Sequence, residues 1–157
     1  MRESIGQSFL VTLVVTLVGI IIIILLCAVA YSKTFKIKTK LVDILEKYKG
    51  FDDVYQAASG EMESYLLSIG YRRNVNGVSD CPSESPDGRY LGDAINNDFS
   101  QFHYCVYEFD SGIGANRGKY YGVLVYIYFD IPLIGDILEI PVYGETEVFF
   151  DSGYIEG

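Results

Sequence analysis

The sequence predicts an α+β protein: a single N-terminal transmembrane helix continued by an amphipathic stem, then a second helix and a three- to four-stranded antiparallel sheet. Three observations predict it. No charged residue occurs at the 29 positions between Glu3 and Lys33, a run that exceeds the ~20 apolar residues a helix needs to cross a bilayer core. Near Tyr71 the apolar spacing changes from steps of three and four to alternation, as it does where helix gives way to strand. Charge divides too: of 12 basic and 21 acidic residues, positions 1–50 hold 7 and 3, a net +4, and positions 51–157 hold 5 and 18, a net −13.

These numbers already exclude several classes. A chain of 157 residues has room for one ordinary domain, or a small domain with an anchor. With 14 Tyr and 9 Phe it has the apolar mass for a packed core and is no disordered tail. The acidic balance argues against binding nucleic acid by neutralising phosphates. Three cysteines and one histidine are too few for a zinc ribbon or metal cluster, and no cofactor is expected. The organisation expected is a stub and transmembrane helix over residues 1–31, a stem and second helix over 32–70, and a β domain over 71–157.

Phe9 to Ala30 reads FLVTLVVTLVGIIIIILLCAVA. Its two threonines are tolerable in lipid, because their hydroxyls can bond carbonyls one turn earlier. The lipid bilayer is therefore the first expected partner. Ala28-Val29-Ala30 also has the small-x-small pattern of a signal cleavage site, which would release a secreted domain after Ala30. The length of the apolar run and the weakly basic start favour a retained anchor instead. Cys27 reads as an apolar residue within the helix.

Ser32 to Lys49 contains neither Gly nor Pro, and Ile37, Leu41, Ile44, Leu45 and Tyr48 recur at helical steps, so the helix is expected to continue as a stem. Gly50 is the expected stop. Phe51-Asp52-Asp53 opens a second helix with acids where the dipole favours them. Val54, Ala57, Ala58, Tyr65, Leu66 and Ile69 are its apolar face, Ser59-Gly60 its weak point, and Gly70 its left-handed C-terminal residue.

Strands are expected over residues 102–109, 119–131, 137–143 and 146–150, with a bulge at Gly144. Residues 74–77 and 81–88 have turn and loop chemistry, and Pro132 to Asp136 turns the chain between strands. The stem should cover one face of the sheet, because an isolated sheet of this size cannot bury its apolar side.

Chemistry-bearing motifs are sparse. Gly112, Gly114 and Gly118 imitate a phosphate loop, but a strand follows them where a helix would be needed, so a hairpin loop is expected. Asp80, Asp87, Asp93, Asn96, Asn97 and Asp98 lack calcium-loop spacing and read as a solvated acidic loop. His103 has no dedicated partner in the sequence and reads as structural. Cys81 and Cys105, with 23 residues between them, can form a disulfide if the compartment is oxidising, or remain two ordinary thiols if it is not. No nucleophile, base and orienting group can be assembled, so the expected function is non-enzymatic.

A short stub, a long apolar helix with an amphipathic continuation, and a small antiparallel sheet together resemble the type IV pilin-like architecture. More narrowly, Gly6-Gln7 before the apolar helix and the ending VYIYFDIPLIGDILEIPVYGETEV over residues 125–148 resemble the TadE-like minor pilins and pilus assembly proteins of Gram-positive bacteria. The resemblance implies processing at Gly6 and other pilin-like subunits as partners through the N-terminal helix. It further implies a membrane-anchored structural or assembly subunit of a Tad-like pilus or pseudopilus on the cell surface. It departs at one position: the glutamate such helices carry five residues after the processing glycine is Val11 here. A membrane-tethered extracytoplasmic binding or adhesion module is the alternative. Lys33, Lys36, Lys38 and Lys40 after the span favour a cytoplasmic C-terminus. The Tyr-rich sheet, the cysteine pair and the pilin-like layout favour the outside, and an extracytoplasmic C-terminal domain is the expectation.

Overall fold

Absence of Gly and Pro between Gly19 and Gly50, together with continuous helical spacing, produces one unbroken helix. In the computed structural model, which describes residues 2–49, 55–71, 81–85, 87–96, 102–112, 118–129 and 138–150, α1 (Arg2–Lys47) has 46 residues. At 1.5 Å per residue it is about 69 Å long. Its last turn closes through Tyr48 N–H to Ile44 O and Lys49 N–H to Glu46 O, both 3.1 Å. Lys49 itself takes the left-handed conformation, with φ 53°. The stop thus comes one residue ahead of the expected Gly50, which lies outside the described residues.

α2 (Tyr55–Ser68) ends as its sequence predicts. Gly70 has φ 62°, its N–H bonds Leu67 O at 3.2 Å, and Tyr71 N–H bonds Leu66 O at 2.9 Å, the paired closure of a Schellman motif. The buried stripe is Ala58, Met62 and Leu66. Met62 was not part of the expected face, and Ala57, which was, is exposed. The expected start at residues 51–54 lies outside the described residues.

Four strands follow: β1 (Tyr104–Asp110), β2 (Gly118–Phe129), β3 (Leu138–Glu145) and β4 (Phe149–Phe150). The order is β1-β2-β3, all antiparallel, with β4 also pairing β2. One sheet face carries Tyr104, Val106, Tyr121, Val123 and Val125, packed on Ile37, Leu41, Ile44 and Leu45 of α1 and on the α2 stripe. The stem, the second helix and the sheet therefore share one core, and each fully buried Leu or Ile contributes about 1.5–3 kcal/mol.

The second face is not left to solvent. Cys105, Tyr107, Leu124 and Tyr126 pack against Leu91, Cys81 and Ala94, so the segment 81–96 covers it. Alternation along β2 divides its aromatic residues between the two covers, Tyr121 toward the helices and Tyr126 toward the loop.

The bulge falls elsewhere than expected. Gly144 pairs in register with Val123, and its missing side chain makes room for the Lys38 chain, whose Cδ would lie 2.6 Å from a Cβ there. The irregularity comes just after it. Gly122 pairs with Glu145 and Lys119 with Phe149, so two residues of β2 face the three residues 146–148, one extra on that side. The Thr146 hydroxyl fills the gap by accepting from Tyr121 N–H at 3.0 Å.

Two polar side chains close the ends and edge of β1. The Tyr71 hydroxyl accepts from Tyr126 N–H at 3.1 Å and lies 3.2 Å from His103 O, to which it can donate. It occupies the place where the next ladder pair would form, which is why β1 starts at Tyr104 and not at the expected Phe102. Asn96 serves the outer edge: its Nδ2 donates to Tyr104 O and its Oδ1 accepts from Val106 N–H, both at 2.6 Å. Expected within a solvated loop, Asn96 is instead buried. Replacing it, Asn96→Ala, should cost about 1–3 kcal/mol for each of the two β1 groups left unpaired, read as a lower urea midpoint with an unchanged slope.

Candidate functional site

The first half of α1 presents large apolar side chains in every direction. Phe9 is 69% exposed and Val29 68%, with Leu10, Val15, Ile20, Ile24 and Leu26 all exposed between them. Part of this helix is long and apolar enough to cross a membrane, and none of that part is buried by the rest of the protein. Thr12 donates to Ser8 O at 2.9 Å and Thr16 to Thr12 O at 2.8 Å, so neither hydroxyl is left unpaired. Gly6 lies in the first turns of α1 and Ala30 near its middle. The bond after Ala30 is thus held inside continuous helix, with Thr34 Oγ1 donating to Ala30 O at 3.1 Å. Cys27 is exposed and carries a free thiol.

Where the helix leaves its apolar run, the surroundings change within two turns. Tyr31 and Phe35 are exposed and their rings lie 6.5 Å apart. Lys38 sets its ammonium 4.3 Å from the Phe35 ring centre while its chain runs over Gly144. Thr34 and Ile37 are the first residues of α1 buried against the domain. At the far end of the stem, Lys47 pairs with Glu61 at 2.6 Å and Tyr48 donates to the same carboxylate at 2.8 Å. Those two hydrogen bonds hold the Glu61 carboxyl below its usual range, and the Glu61 bond raises the Lys47 ammonium.

Besides the Asn96 bonds to β1, the covering segment 81–96 is fastened at three further points. Cys81 and Cys105 are joined, with Cα atoms 5.8 Å apart. Tyr107 donates to Pro82 O at 2.6 Å. Arg89 donates from Nη1 to Glu145 and from Nη2 to the Tyr120 hydroxyl at 3.0 Å, while its guanidinium lies 5.7 Å from the Phe109 ring centre. Glu145 also accepts from the Tyr143 hydroxyl at 3.1 Å. One arginine thus ties the loop to all three long strands.

His103, expected to lack a dedicated partner, is buried, stacks on Tyr126 with ring centres 4.2 Å apart, and has Tyr128 Oη 3.3 Å from Nδ1. Among the described residues no group of three or more His, Cys, Asp or Glu side chains is arranged to hold a metal ion. Gly118 opens strand β2 and accepts at its carbonyl from Ser111 N–H at 2.7 Å, so strand and not a helix N-terminus follows it; Gly114 lies outside the described residues.

Burial pushes the Tyr71, Tyr107 and Tyr143 hydroxyls well above the ordinary tyrosine value of 10.0; the Tyr126 charge adds at Tyr107 and the Glu145 charge at Tyr143. A raised folded-state value means the folded chain holds these protons more tightly than the unfolded chain. Their stabilisation is complete below pH 10.0 and is lost as pH rises beyond it. Melting temperature should therefore fall steeply through the alkaline range. Tyr71→Phe should reduce that slope while lowering stability at neutral pH, because Tyr126 N–H loses its buried acceptor.

Tyr71, Arg89 and Thr146 were given no role in sequence, and Asn96 was placed in a solvated loop rather than on the edge of β1. Tyr71 had a signal: an aromatic directly after a helix-ending glycine often packs back on the last turn. The roles of the other three depend on what the fold brings opposite them. No family model matches this chain, and no curated protein or solved structure does.

Proposed function

We propose that this chain is a membrane-anchored, non-enzymatic structural or assembly subunit of a Tad-like pilus or pseudopilus, with its sheet domain on the extracytoplasmic side. The observation that carries this reading is the division of labour within α1. One continuous helix exposes apolar side chains on all sides from Phe9 to Val29 and then supplies Ile37, Leu41, Ile44 and Leu45 to the domain core. A helix built this way couples a bilayer, or a bundle of like helices, rigidly to a folded head. The pilin-like ending of the sequence and the cysteine pair support the same reading and the outside placement.

A second reading has its own observation. Val11 stands where pilin-like helices carry a glutamate, which favours a tethered binding or adhesion module that does not enter a filament. Cysteines placed singly along α1 distinguish the two by crosslinking in intact membranes. A pilus or pseudopilus subunit should crosslink to other chains bearing similar apolar helices. A chain that crosslinks to none and runs as a monomer in detergent supports the tethered module.

A further inference from the structure

Lys33, Lys36 and Lys40 recur at steps of three and four, which places them in one stripe of α1. All three are exposed, and the stripe lies beside the face that Ile37, Leu41 and Ile44 bury in the sheet. The lower member has an acidic neighbour: the charge of Lys40 contributes to the lowered Glu61 carboxyl. Lys33 and Lys36 have no ion pair among the described residues.

Their height along the helix is informative. The apolar run ends at Ala30, so Lys33 and Lys36 stand about 5 and 9 Å beyond it. The polar layer of each leaflet is about 5–8 Å thick, and these ammonium groups lie within it or at its outer margin. Tyr31, exposed on another side of the same turns, is a residue type that settles at that depth. The rest of the protein has the opposite charge: residues 51–157 carry 5 basic and 18 acidic residues, so an anionic surface repels the domain while it attracts the stripe.

We propose that Lys33 and Lys36 form a headgroup-binding site for anionic phospholipids. The site selects negatively charged lipid around α1 and holds the junction at a fixed depth, with the acidic domain held off the surface. This rests on the reading of α1 as a membrane span. Each lysine near an anionic surface is expected to favour charged over neutral lipid roughly fivefold.

The full chain, reconstituted into vesicles of equal parts phosphatidylglycerol and phosphatidylcholine and extracted in mild detergent, should retain phosphatidylglycerol in large excess by mass spectrometry of bound lipid. Lys33→Gln with Lys36→Gln should bring retention close to parity, and Lys33→Arg with Lys36→Arg should preserve the excess. Equal retention of both lipids by the native chain, or an undiminished excess in the glutamine pair, overturns the site. A carbonate wash of the native chain in pure phosphatidylcholine vesicles separates the two failures. Retention there with lipid parity above leaves the anchor standing and removes only the lipid site, whereas release removes both.

Discussion

Truncation of the chain before Tyr31 is expected to convert a membrane-retained protein into a soluble one whose sheet domain still folds. The reason is where burial begins. Every large apolar side chain from Phe9 to Val29 that the fold leaves uncovered is exposed, and at about 1.5–3 kcal/mol for each Val, Leu or Ile their transfer to lipid is worth tens of kcal/mol. None of that contributes to the domain. The core residues Ile37, Leu41, Ile44 and Leu45 all remain in a fragment that starts at Tyr31, and the Schellman closure of α2 is untouched. Sedimentation of the expressed fragment after cell lysis and its circular-dichroism melt are the measurements. A truncation that starts at Val42 is the contrast: it removes Ile37 and Leu41, each costing about 2–5 kcal/mol when cut back to Ala. That is most of the 5–15 kcal/mol a domain possesses. A fragment from Tyr31 that aggregates unfolded would show that the span supports the head, contrary to the packing described.

Opening the Cys81–Cys105 bridge is expected to be the most damaging change within the head. The bridge joins residues 24 apart in sequence, and on the loop-entropy account it stabilises by about 3–4 kcal/mol. Its consequence is larger than an isolated link, because the segment it fastens is the only described cover over Cys105, Tyr107, Leu124 and Tyr126. Once that segment is released, water reaches a sheet face whose side chains are now almost fully buried. Cys81→Ala with Cys105→Ala should therefore lower the melting temperature by many degrees and raise binding of an apolar dye. Cys27→Ala should change neither, since that thiol is free and exposed on α1. Peptide mapping without reductant should recover Cys81 and Cys105 crosslinked and Cys27 alone. A double variant as stable as the native chain would mean that Arg89, Asn96 and Tyr107 hold the segment without the bridge.

Much of this protein was determined locally. A run of 29 uncharged positions dictates a helix that can enter lipid whatever the head does, because backbone groups in hydrocarbon must bond within their own segment. The 3.6 spacing of Ile37, Leu41, Ile44 and Leu45 marked the buried face of the stem, and Gly70 marked the end of α2, because one residue in a left-handed conformation closes a helix by itself. The alternating runs marked four strands, of which the last is only the two residues Phe149–Phe150. Tertiary structure decided the rest, and in each case through a group whose partner is far away in the chain. Asn96 became the edge of β1 because two backbone groups of that strand needed a partner once buried. Tyr71 set where β1 begins because its hydroxyl reaches between His103 and Tyr126. The bulge moved from Gly144 to residues 146–148 because Lys38 needed the space over the glycine while β4 had to rejoin β2 one residue out of step. A polar loop became the second cover of the sheet because the disulfide, Tyr107 and Arg89 fasten it there. Periodicity records which side chains must leave water; which backbone groups are then stranded, and what reaches them, exists only once the chain has closed on itself.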